Sequence, residues 1–182
     1  MSQAIASGWV GEMAQRHLDA AYNLGRWLLG NEHDAADAVH DAYLRAERSA
    51  HTYAGGNERA WWLTIVRNCC LAKISSRKRE VQLQGIDAAV VETLLPRTAD
   101  NDVEDRVAAA QAGARIAVHL RALPAEFREA LVLREIEDLS YREIADVLQV
   151  PIGTVMSRLA RGRALLQRAL AAGPAQEPTH GL

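Results

Sequence analysis

Val10, Met13, Ala14, Leu18, Ala21, Leu24 and Leu28 recur at three- and four-residue steps. That spacing puts them on one stripe of an α-helix, and the stripe needs a core to bury it. It predicts a first helix from about Trp9 to Leu29, ended by Gly30 and Asn31. A second helix follows from about His33 to Arg48, with Ala35, Ala36, Val39, Tyr43 and Ala46 turned inward and Asp34, Asp37, Asp41 and Arg45 on the opposite face. His51 to Glu58 reads as a loop, because Gly55 and Gly56 adopt positive φ cheaply and Asn57 is placed to cap what comes next. A long helix then runs from about Glu58 to Arg79, opening with Trp61, Trp62, Ile65 and Val66 against the core. Residues 9–79 form one predicted domain.

Glu80 to Asp102 is weakly periodic, acidic and interrupted by Gly85 and Pro96. It reads as a flexible linker, with Ile86 to Leu95 as a possible short helix. A second domain, residues 103–171, begins with a helix over Val103 to Arg121. Pro124 opens the next, where a proline is tolerated, and that helix carries Phe127, Ala130, Leu131, Leu133 and Arg134 to about Asp138. Ser140 and Glu143 have the spacing of a capping box and start a short helix over Tyr141 to Leu148. A turn at Gln149 to Ile152 leads into a last helix from Gly153 to Leu170, and 172–182 is expected to be a disordered tail. Aromatic residues are 5% of the chain, and glycine and proline sit mostly at the ends of periodic segments. The expected fold is all-α: two small helical domains on a flexible linker.

The 182 residues carry a net charge of −2, but the charge is not evenly spread. Arg59, Arg67, Lys73, Arg77, Lys78 and Arg79 fall in a stretch without an acid, and so do Arg158, Arg161, Arg163 and Arg168 between Val147 and Gln176. Two basic blocks on either side of an acidic bridge suit a protein that touches a polyanion at two places. The longest apolar runs fall short of the ~20 residues of a membrane span, and no secretory signal opens the chain. Cys69 and Cys70 are adjacent and cannot build a disulfide framework. A soluble, cytoplasmic protein is expected. His33, Asp37, His40 and Asp41 lack the recurring Glu-x-x-His pairs of a helical metal site, so no catalytic centre, metal or cofactor is predicted.

The pair of helices at 141–170 has the marks of a helix-turn-helix. Ile144, Ala145, Leu148, Val150, Val155 and Leu159 are apolar or small where the helices must cross. The outer face of the second helix offers Thr154, Ser157, Arg158 and Arg161, with Arg163 beyond, to a major groove. The stretches Leu123-Pro-Ala-Glu-Phe-Arg-Glu-Ala-Leu-Val-Leu-Arg, Leu139-Ser-Tyr-Arg-Glu-Ile-Ala and Gly153-Thr-Val-Met-Ser-Arg-Leu-Ala-Arg-Gly-Arg resemble region 4 of bacterial sigma factors, above all the extracytoplasmic-function (ECF) group of the sigma-70 family. Asp34-Ala-Ala-Asp-Ala-Val-His-Asp-Ala-Tyr-Leu-Arg-Ala is similar to region 2.2, and Trp61-Trp-Leu-Thr-Ile-Val-Arg-Asn resembles regions 2.3 and 2.4.

The resemblance implies an alternative sigma factor that binds core RNA polymerase and directs promoter-specific initiation. It implies that Asp34, Asp37, His40, Asp41 and Arg45 face the β′ clamp helices, and that the second domain meets the β flap. Tyr53 and Asn68 would hold an unpaired base of the −10 element, with Lys73, Arg77, Lys78 and Arg79 on phosphates. Thr154, Ser157, Arg158, Arg161 and Arg163 would meet the −35 element. An anti-sigma factor is the implied inhibitor, and no membrane insertion is implied. Four positions depart from the family pattern: His40 for glutamine, Ala72 for an acid, Gln149 for glycine and Met156 for lysine. The alternative is a stand-alone dimeric helix-turn-helix regulator reading symmetric half-sites.

Overall fold

The computed structural model describes residues 3–83 and 107–172, and every regular element among them is helical. The first half comprises α1 (Gln3–Arg16), α2 (Leu18–Leu29), α3 (Glu32–Ser49), a 3₁₀ turn (Ala50–Thr52) and α4 (Glu58–Leu83). The second comprises α5 (Val107–Ala122), α6 (Ala125–Leu131) with a π turn at Val132–Ile136, α7 (Tyr141–Leu148) and α8 (Ile152–Ala171). The short helix expected at Ile86 to Leu95, and the tail from Gly173, lie outside the described residues.

The single helix expected from Trp9 to Leu29 is two. The chain bends at His17 (φ −113°, ψ 21°), with hydrogen bonds from His17 N to Met13 O and from Ala21 N to His17 O carried across the bend. The bend brings Arg16 (3.0 Å) and His17 (3.2 Å) to the carboxylate of Glu58 at the start of α4. Gly30 closes α2 in the left-handed region (φ 79°), whereas Asn31 belongs to the next helix, its side chain accepting from Asp34 N at 2.8 Å. On α3 the buried residues are Ala35, Ala38, Val39, Ala42 and Ala46; Ala36, expected inward, is exposed. These small residues let α2 and α3 approach closely. A Cβ on Gly25 would stand 3.1 Å from Ala35 Cβ.

Asn57 caps α4 by accepting from Ala60 N at 3.0 Å. Trp62, Leu63, Val66, Cys69 and Cys70 are buried along one side of that helix, with Trp61 and Ile65 half-buried at its margin. Burial pushes both thiols up, Cys70 to about 12, so they act as small apolar residues.

In the second half the helix expected to run to Asp138 widens at Val132–Ile136, and Asp138 takes a positive φ of 49°. The capping box is formed: Ser140 Oγ accepts from Glu143 N at 3.3 Å, and Glu143 Oε2 accepts from Ser140 N at 2.6 Å. Gln149 makes the turn in the left-handed region (φ 56°, ψ 44°), its side-chain amide donating to Asp146 O at 2.6 Å. Ile144, Leu148, Val155 and Leu159 are buried at the crossing of α7 and α8, with Ala145 and Val150 half-buried beside them.

The two halves also pack directly on one another, and one cluster of buried apolar side chains runs through both. Glu129 on α6 is 4% exposed and Glu137 after the π turn is 6% exposed. Each is met by an arginine from α4. Arg67 donates from Nε and Nη2 to the two oxygens of Glu129 at 3.1 and 3.0 Å, and Arg59 Nη2 donates to Glu137 Oε2 at 2.7 Å. Asn23 donates to the other Glu137 oxygen at 3.3 Å, Asn57 to Glu143, and the Arg121 guanidinium lies over the Trp27 ring at 5.5 Å. Removing one member of such a buried pair strands the other. Arg67→Met is therefore expected to cost about 3–5 kcal/mol in urea unfolding, whereas Arg67→Met with Glu129→Leu costs far less.

Candidate nucleic-acid interface

α8 buries Val155, Leu159 and Gly162 against the rest of the second half. At 3.6 residues per turn, Gly153, Ser157, Ala160 and Ala164 point directly away from it. Thr154, Arg158 and Arg161 then fall on one flank of that outer face, and Ile152, Met156 and Arg163 on the other. The predicted −35 residues thus share one helix but not one environment. Ser157 and Arg161 are exposed, with Ser157 Oγ donating to Thr154 O at 2.9 Å. Arg158 is half-buried, 3.8 Å from Glu126. Arg163 is held by Glu135, to which Nε and Nη2 donate at 3.1 and 2.7 Å.

The loop before α4 is built around aromatic stacking. Tyr53 stacks on Trp9 of α1 (ring centroids 4.7 Å apart, 27° between planes) and lies 5.4 Å from Trp61. Its hydroxyl donates to Gly56 O at 2.6 Å, beneath two glycines with φ of 88° and 101°. Asn68 is exposed about two turns along α4 from Trp61, and Lys78 and Arg79 are exposed further along the same helix. Sequence reasoning missed Trp9 here, because the residue lies 44 positions from Tyr53 and reads as the start of a core stripe. Trp9→Ala is expected to release the loop and lower stability by about 0.5–1.5 kcal/mol beyond the lost burial. Trp9→Phe should retain most of it, as followed by near-ultraviolet circular dichroism and thermal unfolding.

The outer face of α3 exposes Asp37, His40, Asp41 and Arg45, as expected. Leu44, which sequence reasoning did not single out, is exposed among them. Asp34 differs. It is largely buried and accepts from Arg77 and from Asn31, while Lys73 donates to Asp37 at 3.1 Å and lies 4.0 Å from Asp34. Residues predicted for two different partners, the acids of α3 and the bases of α4, are therefore paired with each other. Burial works to raise the Asp34 pKa, but the hydrogen bonds from Asn31 and Arg77 outweigh it and hold the carboxyl below its ordinary 3.8. The Ser140 hydroxyl and amide, against a smaller effect of burial, hold Glu143 below its ordinary 4.5. Depressed carboxylates stabilise the fold above their ordinary range, and that stability is lost as pH falls through the folded values. The melting temperature is expected to drop as pH falls below about 4. Glu143→Gln, which can still accept at the cap but cannot titrate, should flatten that drop.

Comparison with known proteins agrees with this layout. A family model for sigma-70 region 2 matches residues 13–80, and one for sigma-70, region 4 matches residues 115–166. The ECF RNA polymerase sigma factor SigE of Mycolicibacterium smegmatis is 36% identical over 172 residues, covering 93% of this chain and 64% of that protein. This chain thus spans just under two thirds of that relative's length. The ECF RNA polymerase sigma factor SigW of Bacillus subtilis is 31% identical over 157 residues, covering 84% of this chain and 83% of its own. Among solved structures, the sigma factor RpoE of Bartonella quintana, in complex with the anti-sigma factor NepR, superposes with a TM-score of 0.71 at 26% identity, over 90% of this chain and 97% of that one. CnrH, in complex with the cytosolic domain of CnrY, shares the fold at a TM-score of 0.63 and 24% identity, over 94% of this chain and 96% of that one. The chain belongs to the ECF group of RNA polymerase sigma factors.

Proposed function

We propose that this chain is an alternative sigma factor that docks on bacterial core RNA polymerase through the outer face of α3 and directs initiation at promoters read by both of its halves. The observation that carries this reading is the presence, in one chain and in order, of a region 2 match and a region 4 match. A stand-alone regulator needs only the second. The exposed stripe of Asp37, His40, Asp41 and Arg45 suits a basic partner such as the β′ clamp helices, and exposed Leu44 gives it an apolar centre. The second half meets the β flap and, through α8, the −35 duplex. Ser157 and Arg161, both exposed, read bases there, while Arg158 and Arg163 must first leave Glu126 and Glu135. In the first half, Tyr53 and Asn68 take an unpaired −10 base, and Lys78 and Arg79 are exposed for phosphates, whereas Lys73 and Arg77 must first exchange carboxylate for phosphate. The chemistry of RNA synthesis stays with the polymerase, and the site of action is the cytoplasm. An anti-sigma factor is a further partner, as for the Bartonella quintana protein.

In vitro transcription from genomic fragments tests the reading. Discrete start sites are expected only when both the protein and core polymerase are present. Tight sequence-specific duplex binding by the protein alone, with no initiation, would establish the dimeric regulator instead. Reversing the charge of Asp37 and Asp41 together is expected to weaken core binding at least tenfold, while thermal stability falls little, because the Asp37 carboxylate that meets Lys73 and His33 is itself half-exposed.

A further inference from the structure

The first six residues of α8 carry no charge at all. Ile152, Gly153, Thr154, Val155, Met156 and Ser157 come first, and every base of the helix lies beyond them. Val155 is buried and holds the helix to α7. Ile152 and Met156, one turn apart on the same flank, do the opposite: they are 48% and 52% exposed. Among the described residues neither is covered, and Gly153 between them faces open space. A lysine or arginine at either position would gain a phosphate contact, and a polar residue would be better solvated. Two large apolar side chains at this place lie outside the buried core.

The occupant must therefore offer an apolar group where this end of the helix arrives. The remainder of α8 selects the partner, since Val147 to Gln176 contains four arginines and no acid, which suits duplex DNA. The N-terminal turns of a recognition helix are the part nearest the base edges. In the major groove the one apolar group that distinguishes a base is the 5-methyl of thymine. We infer that Met156, with Ile152 beside it, reads thymine methyl groups in the −35 duplex, so that this chain selects one or two of its −35 bases by apolar contact. Ser157 and Arg161 supply the hydrogen bonds on the centre and far flank of the same face. The inference rests on the reading of α8 as the −35 helix.

The test removes the methyl and nothing else. On a promoter found by start-site mapping, each −35 thymine is replaced in turn by deoxyuridine, which keeps base pairing and hydrogen-bonding edges intact. Binding of holoenzyme, core polymerase with this chain, is then measured. One or two positions are expected to weaken binding about three- to fivefold, the size of losing one buried methyl. Met156→Lys, an exposed change that a helix accepts, should bind thymine and deoxyuridine promoters equally at those positions, and circular dichroism confirms that it folds. Deoxyuridine without effect at every −35 position, or unchanged sensitivity in Met156→Lys, would overturn the inference. Apolar docking of a protein on this ridge would give the first of those results. Arg161→Ala with a scrambled −35 sequence separates the two layers: if neither alters binding, the assignment of α8 itself has failed, and the methyl reading with it.

Discussion

A carboxylate taken out of water must find a positive partner, and this molecule does so twice at the seam between its halves. Glu129 and Glu137 come from the second half, Arg67 and Arg59 both from α4. The same helix presents Trp62, Leu63, Val66, Cys69 and Cys70 to the core of the first half. α4 is therefore shared property: it helps make the first domain and it also receives the second. Residues 107–172 keep their place on the first half through this helix and through α2, where Asn23 donates to Glu137 and Trp27 lies under the Arg121 guanidinium.

What the sequence made legible is local. Ser140 with Glu143, Asn57, Gly30 and Gln149 act within a few residues of themselves, and each does in the structure what its chemistry at that spacing demands. The crossing residues of α7 and α8 were legible for the same reason, because the pair is nearly contiguous. The features that escaped depend on partners far along the chain. His17 bends the first helix toward Glu58, 41 residues away, and the Arg67–Glu129 and Arg59–Glu137 pairs span 62 and 78 residues. The alanines of α3 that face inward, Ala35, Ala38, Ala42 and Ala46, do keep the helical period. The misplaced Ala36 was a choice between adjacent stripes, and the close approach of Gly25 to Ala35 marks the right one.

The candidate sites show the same division. Charge and exposure of the α3 stripe followed from helical spacing, but the exchange of partners between Asp34 or Asp37 and the bases of α4 did not. Charged residues assigned to outside partners by type are also available to one another, and folding matches several of them before any partner arrives. Arg163 with Glu135 and Arg158 with Glu126 repeat this on α8. Ser157 and Arg161 stand apart because, among the described residues, no carboxylate is paired with them.

The seam has a consequence for how firmly the halves are joined. Parting them would return two guanidinium groups and two carboxylates to water together, and the hydration regained would nearly offset the attraction given up. The ion pairs thus align the halves without binding them strongly, and they penalise any packing that leaves a charge dry and unmatched. They act as a keyed joint. Geometry is enforced while the halves touch, and the free energy of touching is left to the apolar cluster that runs through both. Two arrangements of one chain, joined and parted, can then lie close in free energy, although only one of them fits these charges together.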